Sequence, residues 1–392
     1  MDAGDLAFLT SSAGQRAAHD AAARSLSDRT LLADVAALRR AHGEGARAAV
    51  ELVRARRRAV GKLDDPETWL LDSESLQQAT PSAVAMHRAD RLAGLSVHDV
   101  TCSVGAELRA LLARCPAVLG SDLDPIRAAI AGRNCPGALV FRADALAPSS
   151  TAEVVIADPA RRAGGRRIVD PEQMLPPLSA LLDAYRGRSL AVKTAPGIDY
   201  ERLYRNGCGD VDFGGEVELV SLDGGVREAC LWAGPIAACG LRRATVLGGN
   251  GFEITSAEPD DVPVAPAGRF LIEPDGAVIR AGLVRHYGFR HGLWQLDPRI
   301  AYLSGDSVPA GVRGFAVLDE LKYSEKALRA ALRARGAGTV EILTRGAAID
   351  PDVLRRRLKL DGGEAYSVVI ARIGRGVTAW VCRPTRAERL YA

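Results

Sequence analysis

The chain has 392 residues, 47% of them hydrophobic and 25% charged, with a formal net charge of +3. That composition suits a globular protein of two or three domains and excludes a disordered chain, a small disulfide-stapled scaffold and a uniformly basic nucleic-acid binder. No apolar run reaches the roughly 18 residues of a membrane-spanning helix, and the first twenty residues lack the basic and apolar regions of a signal peptide.

Residues 1–93 read as helical. Leu31, Leu32, Val35 and Leu38 fall at near-helical spacing, with Asp28 and Ser73 as expected N-caps. The basic cluster Arg54, Arg56, Arg57, Arg58 and Lys62 reads as a solvated helix face. From about 95 to 235 short apolar runs alternate with helical stretches, the pattern of a parallel sheet covered by helices. Val217–Ser221 and Ala229–Ala233 read as a hairpin around Asp223-Gly224-Gly225 that closes the sheet. Residues 240–319 are irregular and rich in Gly and Pro, with a short strand expected at Ala277–Arg280. In 320–392, Ser324 caps a helix through Ala334, Val340–Thr344 is a strand, Asp350-Pro351 opens a second helix, and Tyr366–Ile373 and Val377–Cys382 form a hairpin.

Charge is distributed unevenly over these segments. Residues 320–392 carry 15 basic against eight acidic residues, a net of +7, which leaves −4 for residues 1–319. A basic segment on a slightly acidic body points to an anionic partner. Only five basic residues are Lys (62, 193, 322, 326 and 359); the other 46 are Arg, a bias that a GC-rich genome produces. The seven cysteines form no C-x-x-C and are odd in number, and the six histidines never sit in ligand spacing. Neither a metal site nor a disulfide framework is expected, and a cytoplasmic protein is the simplest reading.

The chemistry concentrates at the ends of the expected strands. Asp99-Val100-Thr101-Cys102-Ser103-Val104-Gly105 joins a strand to a helix through small residues, which lets a ligand approach the backbone. It lacks G-x-G-x-x-G, so a dinucleotide site is disfavoured. Asp122 ends the second strand, 23 residues after Asp99. An acid there suits the two vicinal hydroxyls of a ribose, while Asp124-Pro125 caps the next helix. Asp144 follows the third strand and Asp158-Pro159 the fourth, and the fifth ends at Lys193-Thr194-Ala195-Pro196-Gly197.

The order D-x-T-C-x-V-G, D-x-D-P, A-D-A and D-P resembles the class I S-adenosylmethionine-dependent methyltransferases over about 78–235. Gln78-Ala79-Thr80-Pro81 is similar to the segment that precedes this motif in the trimethylguanosine-synthase-like branch. Gly338–Gly346, Asp350-Pro351 and Leu354–Leu358 resemble a THUMP-like domain over about 320–391. The resemblance implies an α/β chain: a helical region over 1–93, a Rossmann-like seven-stranded methyltransferase sheet over 94–238, a small α+β domain over 239–319 and a THUMP-like domain over 320–392.

It also implies the site. Asp99, Thr101 and Gly105 would surround the methionine part of S-adenosyl-L-methionine, and Asp122 its ribose. Asp144 and the Ala145 backbone would meet its adenine, Thr80 would help close the pocket, and Asp158 and Pro159 would face the methyl acceptor. Relatives that methylate base amines carry Asp/Asn-Pro-Pro and an aromatic, whereas this chain has Asp-Pro-Ala-Arg-Arg. Arg161 and Arg162 stack on a base, pair with phosphate, or lie in a plain surface loop. THUMP-type domains are associated with RNA, so tRNA or rRNA is the expected partner. Lys322, Lys326, Arg329, Arg333 and Arg355–Arg357 would supply the phosphate contacts. The alternatives are an RNA-binding adaptor with a silent methyltransferase fold, and an enzyme that methylates a protein or a small molecule.

Overall fold

The computed structural model describes residues 1–160, 162–163, 166–167, 170–206 and 213–384. The chain divides into two compact units, residues 1–216 with 229–240, and residues 217–228 with 241–392. Among the described residues, no helix is long and apolar enough to cross a membrane.

The first unit begins with helices, as its Ala- and Leu-rich sequence demands. Leu31–His42 starts at Thr30 rather than Asp28, with no side-chain cap. The helix Ser73–Gln78 is capped by Asp72, not Ser73. Asp72 sits in extended backbone and exchanges capping bonds with Ser75. The basic cluster is only partly a solvated face. The Arg57 guanidinium donates to the carbonyls of Ala22, Arg24 and Ser25, just past the helix Ser12–Ala22. Arg56 donates to the Trp69 carbonyl and Lys62 to that of Leu76. These cations satisfy carbonyls that helix ends and turns leave without partners.

Five parallel strands follow: β1 (Ser96–Asp99), β2 (Ala117–Asp122), β3 (Leu139–Arg142), β4 (Val154–Ala157) and β5 (Ser189–Thr194), in the spatial order β3-β2-β1-β4-β5. Ala229–Ala233 pairs antiparallel with β5, Thr194 opposite Ala229 and Leu190 opposite Ala233. Strand β4 is buried throughout, as its unbroken Val-Val-Ile-Ala run requires of a strand covered on both faces. Val97, Ile156, Ala191 and Trp232 form one core with Ala85, Ala89, Leu108 and Leu111 from the flanking helices. From β1 the chain builds outward to β3, then returns to the other side of β1 to lay down β4 and β5. The carboxyl ends of β1 and β4 therefore diverge at a topological switch point, the place where open α/β sheets bind ligands.

Asn134 fastens the helical segment to the loop beyond β1. Its amide accepts from Leu70 N–H (2.8 Å) and donates to the carbonyls of Leu70 (3.0 Å) and Val104 (2.8 Å).

In the second unit, Val217–Leu222 runs parallel to Arg242–Leu247, which pairs antiparallel with Phe252–Thr255. Asp223 and Gly224 take the left-handed backbone (φ 52° and 75°) that a tight turn needs. The expected strand Ala277–Arg280 is a helix, Gly276–Arg280. Asp275 accepts from Ala277 N–H at 2.7 Å and starts it, overriding the β-branched pair that follows.

A seven-stranded sheet fills the rest of this unit, and Phe270–Glu273 pairs with Arg313–Lys322 inside it. Ser324 and Asp350 cap the helices Glu325–Ala334 and Pro351–Leu358. Leu328, Leu332, Leu354 and Leu358 of these helices pack on Val340, Tyr366, Val368 and Ile370 of the sheet. Phe315, Val369, Trp380 and Tyr302 belong to a second core.

Candidate active site

The loop after β1 is threaded between its neighbours. Val100 N–H donates to the Ile156 carbonyl of β4, and Cys102 N–H to the Ser121 carbonyl of β2, both at 2.9 Å. Asp99 is buried, and its carboxylate accepts from Thr101 N–H at 3.0 Å. Ser103 and Gly105 have φ of 48° and 90°. A Cβ at Gly105 would lie 2.8 Å from Cys135 Sγ, so both backbone angle and space require glycine there.

The two acids after β2 divide their work. Asp122 accepts from Ser103 N–H (3.0 Å) through one oxygen and from Asp124 N–H (2.9 Å) through the other. Asp124 caps the helix Pro125–Asn134 through Ile126 N–H at 2.8 Å. The third strand's turn is tied to the second, because Ala143 N–H donates to the Asp122 carbonyl. Asp144 is exposed and accepts from Leu146 N–H at 2.9 Å. The buried Ala145 is held by Tyr185, whose hydroxyl donates to its carbonyl at 2.7 Å. At the end of β4, Asp158 N–H donates to Thr101 Oγ1 at 2.6 Å, and Pro159 is buried. Arg161 and the Arg162 side chain lie outside the described residues.

Sequence reasoning assigned no role to the ionic cluster that joins these tips. Lys193, at 3% side-chain exposure, ends β5. Its ammonium donates to Thr80 Oγ1, lies 2.7 Å from Asp158 Oδ2 and lies 3.1 Å from Glu107 Oε1. Arg88, at 2% exposure, meets Glu107 through Nε at 3.2 Å. The readable signal is a lysine that closes the apolar run Leu190-Ala191-Val192, in a strand where burial excludes unpaired charge.

Thr80, Asp99, Thr101, Glu107, Asp158 and Lys193 thus form one connected group. Gly105 and Asp122 join it through the loop backbone. Among the described residues, Asp144 and Ala145 are linked to it through Ala143, whose N–H donates to the Asp122 carbonyl.

Burial pushes the Asp99 carboxyl up to about 7. The Glu107 and Asp158 charges add to that rise, while the Thr101 N–H and Lys193 oppose it. Burial also works against an ionised Glu107, but Arg88 and Lys193 outweigh it and hold Glu107 below the usual carboxylate range.

In the second unit, Lys322 and Lys326 are exposed and form no hydrogen bond or ion pair among the described residues. Arg356 is likewise exposed and acts on Asp350 only through space. Arg355 bonds the Val340 carbonyl and Asp352. Arg329 and Arg333 hold the carbonyls of Arg357 and Lys359, and Arg357 pairs with Glu325.

The raised Asp99 carboxyl has a signed consequence. The folded chain holds this proton more tightly than the unfolded chain, so Asp99 costs stability as pH rises from about 4, the unfolded value, to about 7. Asp99→Asn keeps the Thr101 N–H acceptor and removes that cost. Its unfolding free energy relative to wild type should therefore climb across this window, by at most about 1.4 kcal/mol per pH unit. Urea titrations at pH 5, 6, 7 and 8 test this, and a pH-independent difference refutes it.

Comparison with known proteins agrees with this geometry. Residues 312–384 match the family described as THUMP domain-like. Two curated proteins, both uncharacterized S-adenosylmethionine-dependent methyltransferases of Mycobacterium tuberculosis (strains CDC 1551 / Oshkosh and H37Rv), are 51% identical over 363 residues. The match spans 89% of this chain and 100% of theirs. The crystal structure of a candidate methyltransferase from Porphyromonas gingivalis W83 shares the fold, with a TM-score of 0.71 at 18% identity over 88% of this chain and 92% of that one. A chain with these relatives and these strand-tip acids belongs to the S-adenosylmethionine-dependent methyltransferases, and it carries a THUMP-like domain over 312–384.

Proposed function

We propose that this methyltransferase modifies a base of structured RNA, tRNA or rRNA, in the cytoplasm. The observation that carries the RNA assignment is the set of exposed cations Lys322, Lys326 and Arg356 in the THUMP-like segment, because they are not committed to carbonyls or carboxylates of the fold. On this reading, residues 94–238 carry the chemistry and 320–392 the RNA contacts. Residues 239–319, expected as a small α+β domain of their own, share sheets with their neighbours, because Arg242–Leu247 pairs with Val217–Leu222 and Phe270–Glu273 with Arg313–Lys322. The likeness of Gln78-Ala79-Thr80-Pro81 to the segment before that motif supports a reading within the trimethylguanosine-synthase-like branch.

The residues present fit the cofactor. Each Asp122 oxygen accepts one backbone N–H and keeps acceptor capacity for one of two vicinal hydroxyls. Gly105 takes the left-handed backbone (φ 90°) that turns the loop into the helix Ala106–Leu111, and its bare Cα makes room for Cys135. Asp99 and Thr101 shape that loop, Asp144 and the Ala145 backbone face the adenine side, and Thr80 closes the opposite wall. When bound, S-adenosylmethionine supplies an electrophilic methyl group.

The remaining task of the protein is alignment. Asp158 accepts a hydrogen bond from the exocyclic amine of the base. Its pairing with Lys193 orients the accepting oxygen, which turns the nitrogen lone pair toward the methyl donor. Pro159 stiffens the turn that carries it. Arg161 and Arg162 supply the stacking or phosphate contact that an aromatic provides elsewhere.

Asp122→Ala should weaken S-adenosylmethionine binding at least thirtyfold in calorimetry; micromolar binding that survives the change removes Asp122 from the site. Mass spectrometry of nucleosides from wild-type and gene-deleted cells should show one methylated nucleoside missing. Wild type should restore it and Asp158→Ala should not. Identical profiles defeat the RNA reading. Replacing Lys322, Lys326 and Arg356 together by Ala should lower RNA affinity and flatten the slope of log K against log salt by about 2; an unchanged slope moves the RNA contacts elsewhere.

A further inference from the structure

We infer that Lys193 is the positioning residue of the transfer reaction: it sets the orientation of Asp158 against the acceptor while touching neither acceptor nor cofactor. The inference rests on the proposed role of Asp158 and goes beyond it.

Three features of the cluster support it. The first is stoichiometry. An ammonium has three N–H donors and no acceptor. At Lys193 two of them go to Thr80 Oγ1 and to Asp158 Oδ2 at 2.7 Å, and Glu107 Oε1 lies 3.1 Å away as an ion-pair partner. All three oxygens belong to the protein. Lys193 acts through its partners.

The second is connectivity. The three oxygens come from three separate segments: the turn before the helix Ser82–Arg91, the helix that follows the β1 loop, and the end of β4. One charge therefore locks the wall at Thr80 and the acceptor-facing Asp158 in register. Asp158 is held at a second point by its own N–H, which donates to Thr101 Oγ1 at 2.6 Å. Its backbone and its carboxylate are held at separate points, so the pairing with Lys193 acts on the side chain without depending on the backbone bond.

The third is cost. A lysine at 3% exposure pays a desolvation penalty that well-packed apolar residues avoid. Glu107 already has a cation in Arg88, whose two nitrogens lie 3.2 and 3.5 Å from its oxygens. An apolar residue at 193 would leave that pair standing. What Lys193 adds is the link to Asp158.

The test uses the full-length protein with tritiated S-adenosylmethionine and an extract of gene-deleted cells, read in RNA, protein and small-molecule fractions. Lys193→Met should lower transfer at saturating cofactor at least a hundredfold, while the cofactor Kd from calorimetry changes by less than about tenfold. Lys193→Arg keeps the charge and with it the fold, and it should recover transfer to within about tenfold of wild type. A Met variant that transfers within threefold of wild type overturns the inference. So does an Arg variant that folds and binds cofactor but transfers no better than Met, and so does a Met variant whose transfer and cofactor binding fall together.

Label in the protein or small-molecule fraction alone overturns the RNA reading instead, and the Lys193 comparison is then made in that fraction. No label in any fraction overturns both.

Discussion

An ammonium and a guanidinium lie inside the first unit among carboxylates, and the arrangement of the loops at the strand ends follows from the need to pair them. Removing an ion from water costs several kcal/mol even after the protein relaxes. Here Arg88 and Lys193 recover that cost from Glu107 and Asp158. Each pairing draws a different segment to the carboxyl end of the sheet. Burial is the larger influence on Asp99, and with the Glu107 and Asp158 charges it holds that proton up to near neutrality. The charge state of the site is thus set by its own architecture before any ligand arrives.

The second constraint is geometric. A sheet ordered β3-β2-β1-β4-β5 opens at the ends of β1 and β4, and the backbone must turn tightly there. Ser103 and Gly105 take up that turn in left-handed conformations. The Ser103 N–H then closes onto Asp122 of the next strand. Asp122 is therefore part of the loop's own hydrogen bonding as well as a candidate ligand for ribose. Its two oxygens accept from Ser103 N–H and Asp124 N–H, so the carboxylate is oriented both by the loop after β1 and by its own turn.

Much of this was legible because short-range rules dominate where it matters. An acid at the end of an apolar run followed by proline announces a strand and the start of a helix. Asp124, Ser324 and Asp350 cap as read. Where two polar neighbours competed, as at Asp72 and Ser73, local sequence did not rank them; the capping box with Ser75 decided. Ala277–Arg280 was misread because two β-branched residues suggested a strand, while Asp275 two residues earlier offered a cap that a helix uses better.

The ionic cluster was illegible for a different reason. Arg88, Glu107, Asp158 and Lys193 are separated by 19 to 105 positions in sequence, and the sheet order brings them together. The charge of the tail was counted correctly but its availability was not. Four of the arginines expected on phosphate are already bonded to the unit's own carbonyls or carboxylates.

Arg57 shows what that bias does elsewhere. Its one guanidinium reaches the carbonyls of Ala22, Arg24 and Ser25 through two separate nitrogens, where an ammonium has a single one. A genome that favours arginine over lysine therefore does more than colour the surface of this protein. It supplies planar braces at helix ends, and the helical segment can tolerate wide drift in its exposed residues so long as such braces stay where the backbone turns.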